Sequence, residues 1–196
     1  MKKSMKITLL SLMLALFLPL ATLNAQLFDQ GDLVFNAGIG LGSTYYTYGT
    51  YYKTTVPPLF LSGDYCLRED LGPGNLGVGG FLGYSAYKYE YDVSGYDYGW
   101  KYSTFIIAAR GSYHFTELVD KLDIYGGVLV GAKIVSDKAY GDYEGSDYSV
   151  NKSGPVFDIF AGVRYQFTDN FGAMSELGYG IAWFKIGLAV KFPTAK

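Results

Sequence analysis

Apolar and polar residues alternate through most of this chain with a period of two, the spacing that sends successive side chains to opposite faces of a β-strand. The alternation is cleanest in PVFDIFAGVRYQFTDN: Phe157, Ile159, Ala161, Val163, Tyr165 and Phe167 share one face, and Asp158, Phe160, Gly162, Arg164 and Gln166 the other. Near the end of the chain Phe184, Ile186, Leu188, Val190 and Phe192 oppose Lys185, Gly187, Ala189 and Lys191. In STFIIAARGSYHF the apolar set is Phe105, Ile107, Ala109, Tyr113 and Phe115, against Thr104, Arg110, Ser112 and His114. In LDIYGGVLVGAKI it is Leu122, Ile124, Val128, Val130, Ala132 and Ile134, against Asp123, Tyr125 and Lys133. Weaker alternation marks GDLVFNAGIGLG, PLFLSGDYCL, NLGVGGFLGYSAY and NFGAMSELGYG, making eight segments in all.

Alternation does not say which face is inside. A soluble sandwich buries its apolar face, whereas a membrane barrel turns it to lipid and keeps a polar interior. Three features favour the barrel. The mixed face carries charges of both signs in mid-segment, Asp64, Arg110, Asp158, Arg164, Glu176 and Lys185, beside many glycines. Apolar bands such as Leu76 to Ala86 and Phe105 to Phe115 cover 11 residues each, the length a tilted strand needs to cross a bilayer. Connections alternate, with long polar loops after segments one, three and five and tight turns at LGPGN, TELVDK and TDN. The expected fold is all-β: an eight-stranded antiparallel transmembrane β-barrel.

Composition agrees, since 26 glycines and 20 tyrosines beside only six prolines suit strands better than helices. The start, MKKSMK followed by an apolar run from Ile7 to Leu18 and a small-residue exit at Ala25, has the form of a secretory signal peptide. Residues 1–25 are expected to be removed and 26–196 to form one barrel domain. No cysteine near the cut supports a lipid anchor, and the lone Cys66 makes no intramolecular disulfide. Without Lys2, Lys3 and Lys6 the 16 basic residues fall to 13, against 18 acidic ones, a net charge of −5. That balance gives nucleic-acid binding no support.

The signal peptide, the eight segments and the closing SELGYGIAWFKIGLAVKF resemble the small outer-membrane β-barrel proteins of the OmpX/Ail and OmpA-barrel type. The resemblance implies an outer-membrane location, periplasmic termini, and outer-membrane lipid and the barrel-assembly machinery as partners. It also implies a C-terminal aromatic that directs insertion. Phe192 matches that role, although the tail from Pro193 to Lys196 departs from the usual terminal position. A monomer without cofactor is expected.

Candidate chemistry is thin. Ser112 and His114 share a face with Glu176 on another strand, and some barrels of this size act as hydrolases or acyltransferases on lipid A. In the inferred topology, however, segment four runs downward and puts His114 near the periplasmic turn, so a hydrogen-bonded interior histidine is the expectation and no catalytic residue is assigned. Asp142, Glu144 and Asp147 fail the calcium-loop pattern, so no metal is assigned. GIGLGS lacks the strand-to-helix setting of a phosphate loop and reads as barrel wall.

The interior charges carry a sharper expectation. A barrel of eight strands is just filled by its own side chains, so Asp64, Arg110, Asp158, Arg164, Glu176 and Lys185 should form a paired polar plug, with Glu176 near Lys185 across the last hairpin and no wide pore. Fourteen of the 20 tyrosines fall in residues 43–57, 87–103 and 136–154, on the inferred outer side. There Tyr89, Tyr91, Tyr96, Tyr98 and Trp100 suit contact with an extracellular partner as well as an aromatic rim. Strand parity continues the interior face through Tyr87, Tyr89 and Tyr91 and returns it through Tyr96, Tyr98, Trp100 and Tyr102, predicting a hairpin that stands above the membrane. A non-enzymatic role in envelope integrity or surface contact leads. A small porin or channel, a lipid-modifying enzyme and a soluble secreted β domain are the rivals.

Overall fold

The computed structural model describes residues 27–45, 52–93, 96–140 and 153–193. The signal segment 1–25, the loop carrying Asp142, Glu144 and Asp147, and Lys196 lie outside these residues.

The eight alternating segments are eight strands: β1 (Leu33–Ser43), β2 (Tyr52–Arg68), β3 (Asn75–Val93), β4 (Tyr96–Val119), β5 (Leu122–Tyr140), β6 (Gly154–Gln166), β7 (Phe171–Leu177) and β8 (Ala182–Phe192). Each pairs antiparallel with its neighbour in sequence, and β1 pairs with β8 to close a barrel. Closure leaves no free strand edge. Connections on the side of the termini are short, at residues 69–74, 120–121 and 167–170, while β3, β4 and β5, which are 19, 24 and 19 residues long in all, run on at the other end. A strand of about 9–11 residues spans a bilayer, so these three form a wall well beyond the apolar zone.

Outward positions are largely apolar through the middle of each strand. Phe157, Ile159, Val130, Leu177 and Phe192 are among the most exposed, Ile159 at 67%. In β6 burial alternates residue by residue, with Asp158, Phe160, Gly162, Arg164 and Gln166 inside. The barrel is thus inverted relative to a water-soluble protein, whose exterior carries the charge.

The mixed inner face expected from the sequence is layered in the lumen. Phe60, Phe81, Ile106, Leu129, Phe160, Met174 and Ile181 form an apolar layer inside the barrel, and Phe28, Val34, Cys66 and Ala189 form a second, smaller one. Hydrocarbon at these inward positions fills a narrow closed lumen, beside uncharged polar residues such as Asn36, Ser62, Thr104 and Gln166. The β1–β8 seam depends on glycine. Gly38 and Gly187 face each other there, and a Cβ on either would run into the facing backbone, Ile186 O for Gly38 and Ala37 O for Gly187.

Candidate functional site

Seven charged residues on the inward face meet in one chain of contacts through the lumen. Lys185 Nζ lies 2.7 Å from Glu176 Oε1 and 3.7 Å from Asp158 Oδ2. Glu176 Oε2 accepts from Arg110 Nη2 at 3.1 Å, and Arg110 Nε lies 2.9 Å from Asp64 Oδ1. That last contact has ion-pair distance but poor hydrogen-bond direction, so it is chiefly coulombic. Arg164 continues the chain, 3.7 Å from Asp64 and 2.9 Å from Asp123. All six charged residues singled out in the sequence belong to it. Asp123 was placed on the polar face but not among them, and it closes the set.

Glycines make these meetings geometrically feasible. Asp64 on β2, Gly79 on β3 and Arg110 on β4 occupy one rung. The side chains two strands apart meet over the gap that Gly79 leaves. Gly162 plays the same part between Tyr125 and Glu176: Tyr125 Oη donates to Glu176 Oε2 at 3.4 Å, and a Cβ on Gly162 would lie 2.5 Å from the Tyr125 ring. Aromatic faces complete the cationic side, with the Arg110 guanidinium 4.1 Å from the centre of Phe160 and that of Arg164 5.2 Å from Tyr125. Such contacts favour a cation removed from water. Asp158 also accepts a short hydrogen bond from the Tyr179 backbone N–H.

Below this chain stands a Ser–His–Asp arrangement. His114 Nδ1 donates to the Asp123 carboxylate at 2.9 Å, and Nε2 receives the Ser112 hydroxyl at 2.9 Å. The sequence suggested Glu176 as the acid of such a set; the structure gives Glu176 to Lys185 and Arg110 and puts Asp123 in its place. Nucleophilic catalysis needs space about 3 Å from the hydroxyl for a reacting carbonyl. Here there is none. Phe28 stacks on the imidazole with ring centres 4.0 Å apart and Tyr125 stacks on it at 5.0 Å. Ser112 faces Gly77, whose added Cβ would lie 2.5 Å from the Ser112 oxygen.

Phe28 belongs to a short segment before β1 that enters the barrel on the side of the termini. Its carbonyl accepts from Asn75 Nδ2 at 2.6 Å, Gly31 N donates to Cys66 O, Cys66 N donates to Asp32 O, and Asp32 lies 3.8 Å from Lys191. Nothing in the alternation pointed to this cap, since it precedes the first strand. At the opposite mouth Tyr87 and Tyr102 are buried, and Tyr89 and Trp100, opposed in the β3–β4 register, are half-buried with ring centres 6.1 Å apart. Tyr91 opposes Tyr98 and Val93 opposes Tyr96, so the predicted hairpin is present. The side chains of Tyr91, Tyr96 and Tyr98 lie outside those described. Phe192 ends β8 facing outward, its ring edge-on to Phe35.

A closed eight-stranded antiparallel barrel with hydrocarbon outside and paired charge inside defines the class of small transmembrane β-barrels of outer-membrane type. No family model matches the chain, and no curated protein does. Among solved structures it is similar to the outer membrane protein OprG of Pseudomonas aeruginosa, with TM-score 0.57 at 12% identity over 85% of this chain and 98% of that one. It is also aligned with Ail, the attachment invasion locus protein of Yersinia pestis, solved with the heparin analogue sucrose octasulfate (TM-score 0.47, 15% identity, 83% and 99% covered). A third match is the N-terminal β-barrel domain of Pseudomonas aeruginosa OprF (TM-score 0.43, 21% identity, 83% and 97% covered). The OprG likeness establishes a shared fold.

Proposed function

We propose that the chain is an outer-membrane barrel with a sealed lumen, acting without catalysis through its wall and outer rim in envelope integrity or surface contact. In this reading residues 1–25 are an export signal, the termini are periplasmic and Phe192 takes part in insertion. The tyrosine-rich β3–β4 hairpin faces the exterior, where Tyr89, Tyr91, Tyr96, Tyr98 and Trp100 offer contact area.

The observation that carries the reading is the ion-pair chain from Asp158 through Lys185, Glu176, Arg110, Asp64 and Arg164 to Asp123, which draws on β2, β4, β5, β6, β7 and β8. A solute path would have to separate these pairs, and separating a buried pair costs several kcal/mol. The Ser112–His114–Asp123 set is read as part of the same packing. Reconstitution in planar bilayers tests the proposal: no stable conductance of large-porin size is expected, and such conductance would return the channel reading to first place. Unchanged lipid A mass spectra on expressing the protein and its His114→Ala variant would support the absence of catalysis; a new lipid A species made by the unsubstituted protein alone would overturn it.

A further inference from the structure

The outward face of β1–β4 is not a smooth wall. Gly63 of β2 and Gly80 of β3 stand directly opposite each other and share the face of Leu61, Val78 and Leu82, each 38% or more exposed. Two side chains are therefore missing side by side from the apolar belt. What they leave is a groove of about 530 Å³, bordered by Phe35, Leu61, Val78 and Leu82 and almost wholly apolar. The ring of Phe35 leans over Gly63, where an added Cβ would lie 3.0 Å from it. Gly80 is uncovered, since a Cβ there would meet nothing nearer than Ala108 O at 3.8 Å.

Toward the termini the same face carries a charge that is out of step with the alternation. On β2 the side chains of Asp64 and Cys66 are buried, so an unbroken strand would turn residue 68 inward as well. The register slips between Cys66 and Arg68, as it does at a β-bulge that re-aims a side chain. Arg68 is thereby set opposite Leu76, and directly opposed residues share a face. Arg68 is exposed and, among the described residues, belongs to no ion pair. Glu69 beside it is engaged with the cap, accepting from Gln30 N at 3.2 Å. Leu76 lies two residues from Val78 at the border of the groove, about 7 Å along the strand. Arg68 itself ends β2 at the turn of residues 69–74, where the wall leaves the apolar belt.

A groove surrounded by hydrocarbon gains nothing from expelling water; its gain is close contact, which an unfilled recess forfeits. A single acyl chain can bend to follow it. A second copy of the barrel cannot fill it in a two-fold contact, because such a contact sets the groove against itself and two hollows leave a void. Arg68 narrows the ligand further, since a guanidinium at the end of the chain's path matches a phosphate group. We propose that the groove and Arg68 bind one phospholipid of the periplasmic leaflet, with an acyl chain over Gly80 and the phosphate on Arg68. The leaflet follows from the place of Arg68 on the side of the termini. The inference rests on the outer-membrane reading above, with those termini periplasmic.

The test uses the full barrel refolded in neutral maltoside micelles, with bound lipid counted by native mass spectrometry. Phosphatidylglycerol, diacylglycerol, lipid A and inorganic phosphate are titrated separately. One phosphatidylglycerol should be retained. Diacylglycerol, which has the chains without the phosphate, should bind at least about tenfold more weakly, and inorganic phosphate and the many-chained lipid A should also be weaker. Gly80→Leu fills the recess from a position open to the outside, and Arg68→Gln removes an exposed charge. Each should weaken phosphatidylglycerol binding at least about fivefold, and Arg68→Gln decides if Gly80→Leu does not fold. Arg68→Lys should keep most of the affinity, and Ala132→Leu, exposed on β5 away from the groove, should bind as the unsubstituted protein does. Unchanged binding in either Gly80→Leu or Arg68→Gln, or any of the other three ligands binding as tightly as phosphatidylglycerol, overturns the proposal. A dimer of the unsubstituted protein that Gly80→Leu dissociates would overturn it too, giving the groove to a second copy. Absence of any heat-modifiable form in the unsubstituted protein would instead overturn the barrel reading beneath it.

Discussion

Substituting Glu176 by glutamine asks whether the lumen is dry. The side chain keeps its shape and loses its charge, so Lys185 keeps only Asp158 at 3.7 Å and Arg110 keeps only Asp64. Both cations stay buried, at about 1% side-chain exposure. Removing one partner of a buried pair costs about 3–5 kcal/mol, a large part of a typical total of about 5–15 kcal/mol. With an unfolding slope of about 2 kcal/mol per molar urea, the midpoint should fall by about 2 M. Urea titration of the barrel in lipid vesicles, followed through Trp100 and Trp183, measures it. The Glu176→Gln/Lys185→Met variant removes the stranded ammonium as well, and should be about 1–3 kcal/mol more stable than the sum of the single changes implies. A loss below about 1 kcal/mol for Glu176→Gln alone would mean that water screens these charges, and the sealed plug would be wrong.

Other consequences can be checked with simpler readouts. Phe28→Ala strips the ring stacked on His114 and should cost about 3–5 kcal/mol in the same titration, while conductance stays below porin size because the ion-pair chain remains. Gly38→Val pushes a side chain into the β1–β8 seam, so the folded, heat-modifiable band should be lost. Burial, with the negative charge of Asp158 adding to it, pushes the phenol of Tyr45 beyond the end of β1 up to about 12. Because the folded value exceeds the unfolded value of about 10, its stabilisation is complete below pH 10 and declines between pH 10 and 12; absorbance at 295 nm should show tyrosines titrating late in the folded barrel, and a Tyr45→Phe change should remove one of them.

The strands and their inward faces were legible because a period of two survives any uncertainty in register. Glu176 and Lys185 were legible as partners because only residues 178–181 separate β7 from β8, which fixes their opposition. Asp123 and Arg164 are equally opposed, but β5 and β6 are joined through a long segment that leaves their offset open in sequence. The Asp64–Arg110 contact needed the offsets of three strands and the gap at Gly79. The apolar layer of Phe60, Phe81 and Ile106 escaped notice for another reason: a phenylalanine on a mixed face carries no mark that tells a packed lumen from a wet one.

The position of Glu176 and Lys185 on the final hairpin also bears on how the barrel can be made. The contacts that close it join β1 to β8 across nearly the whole chain, and contacts so distant form late and slowly. Were Lys185 to enter the lumen alone, it would shed its water before meeting a counter-charge. Because Glu176 stands directly across the hairpin from it, the two can neutralise each other while still hydrated and travel inward as a pair. The last piece of the wall carries its own counter-ion, and Asp32 can reach Lys191 to hold the cap only after that piece is in place.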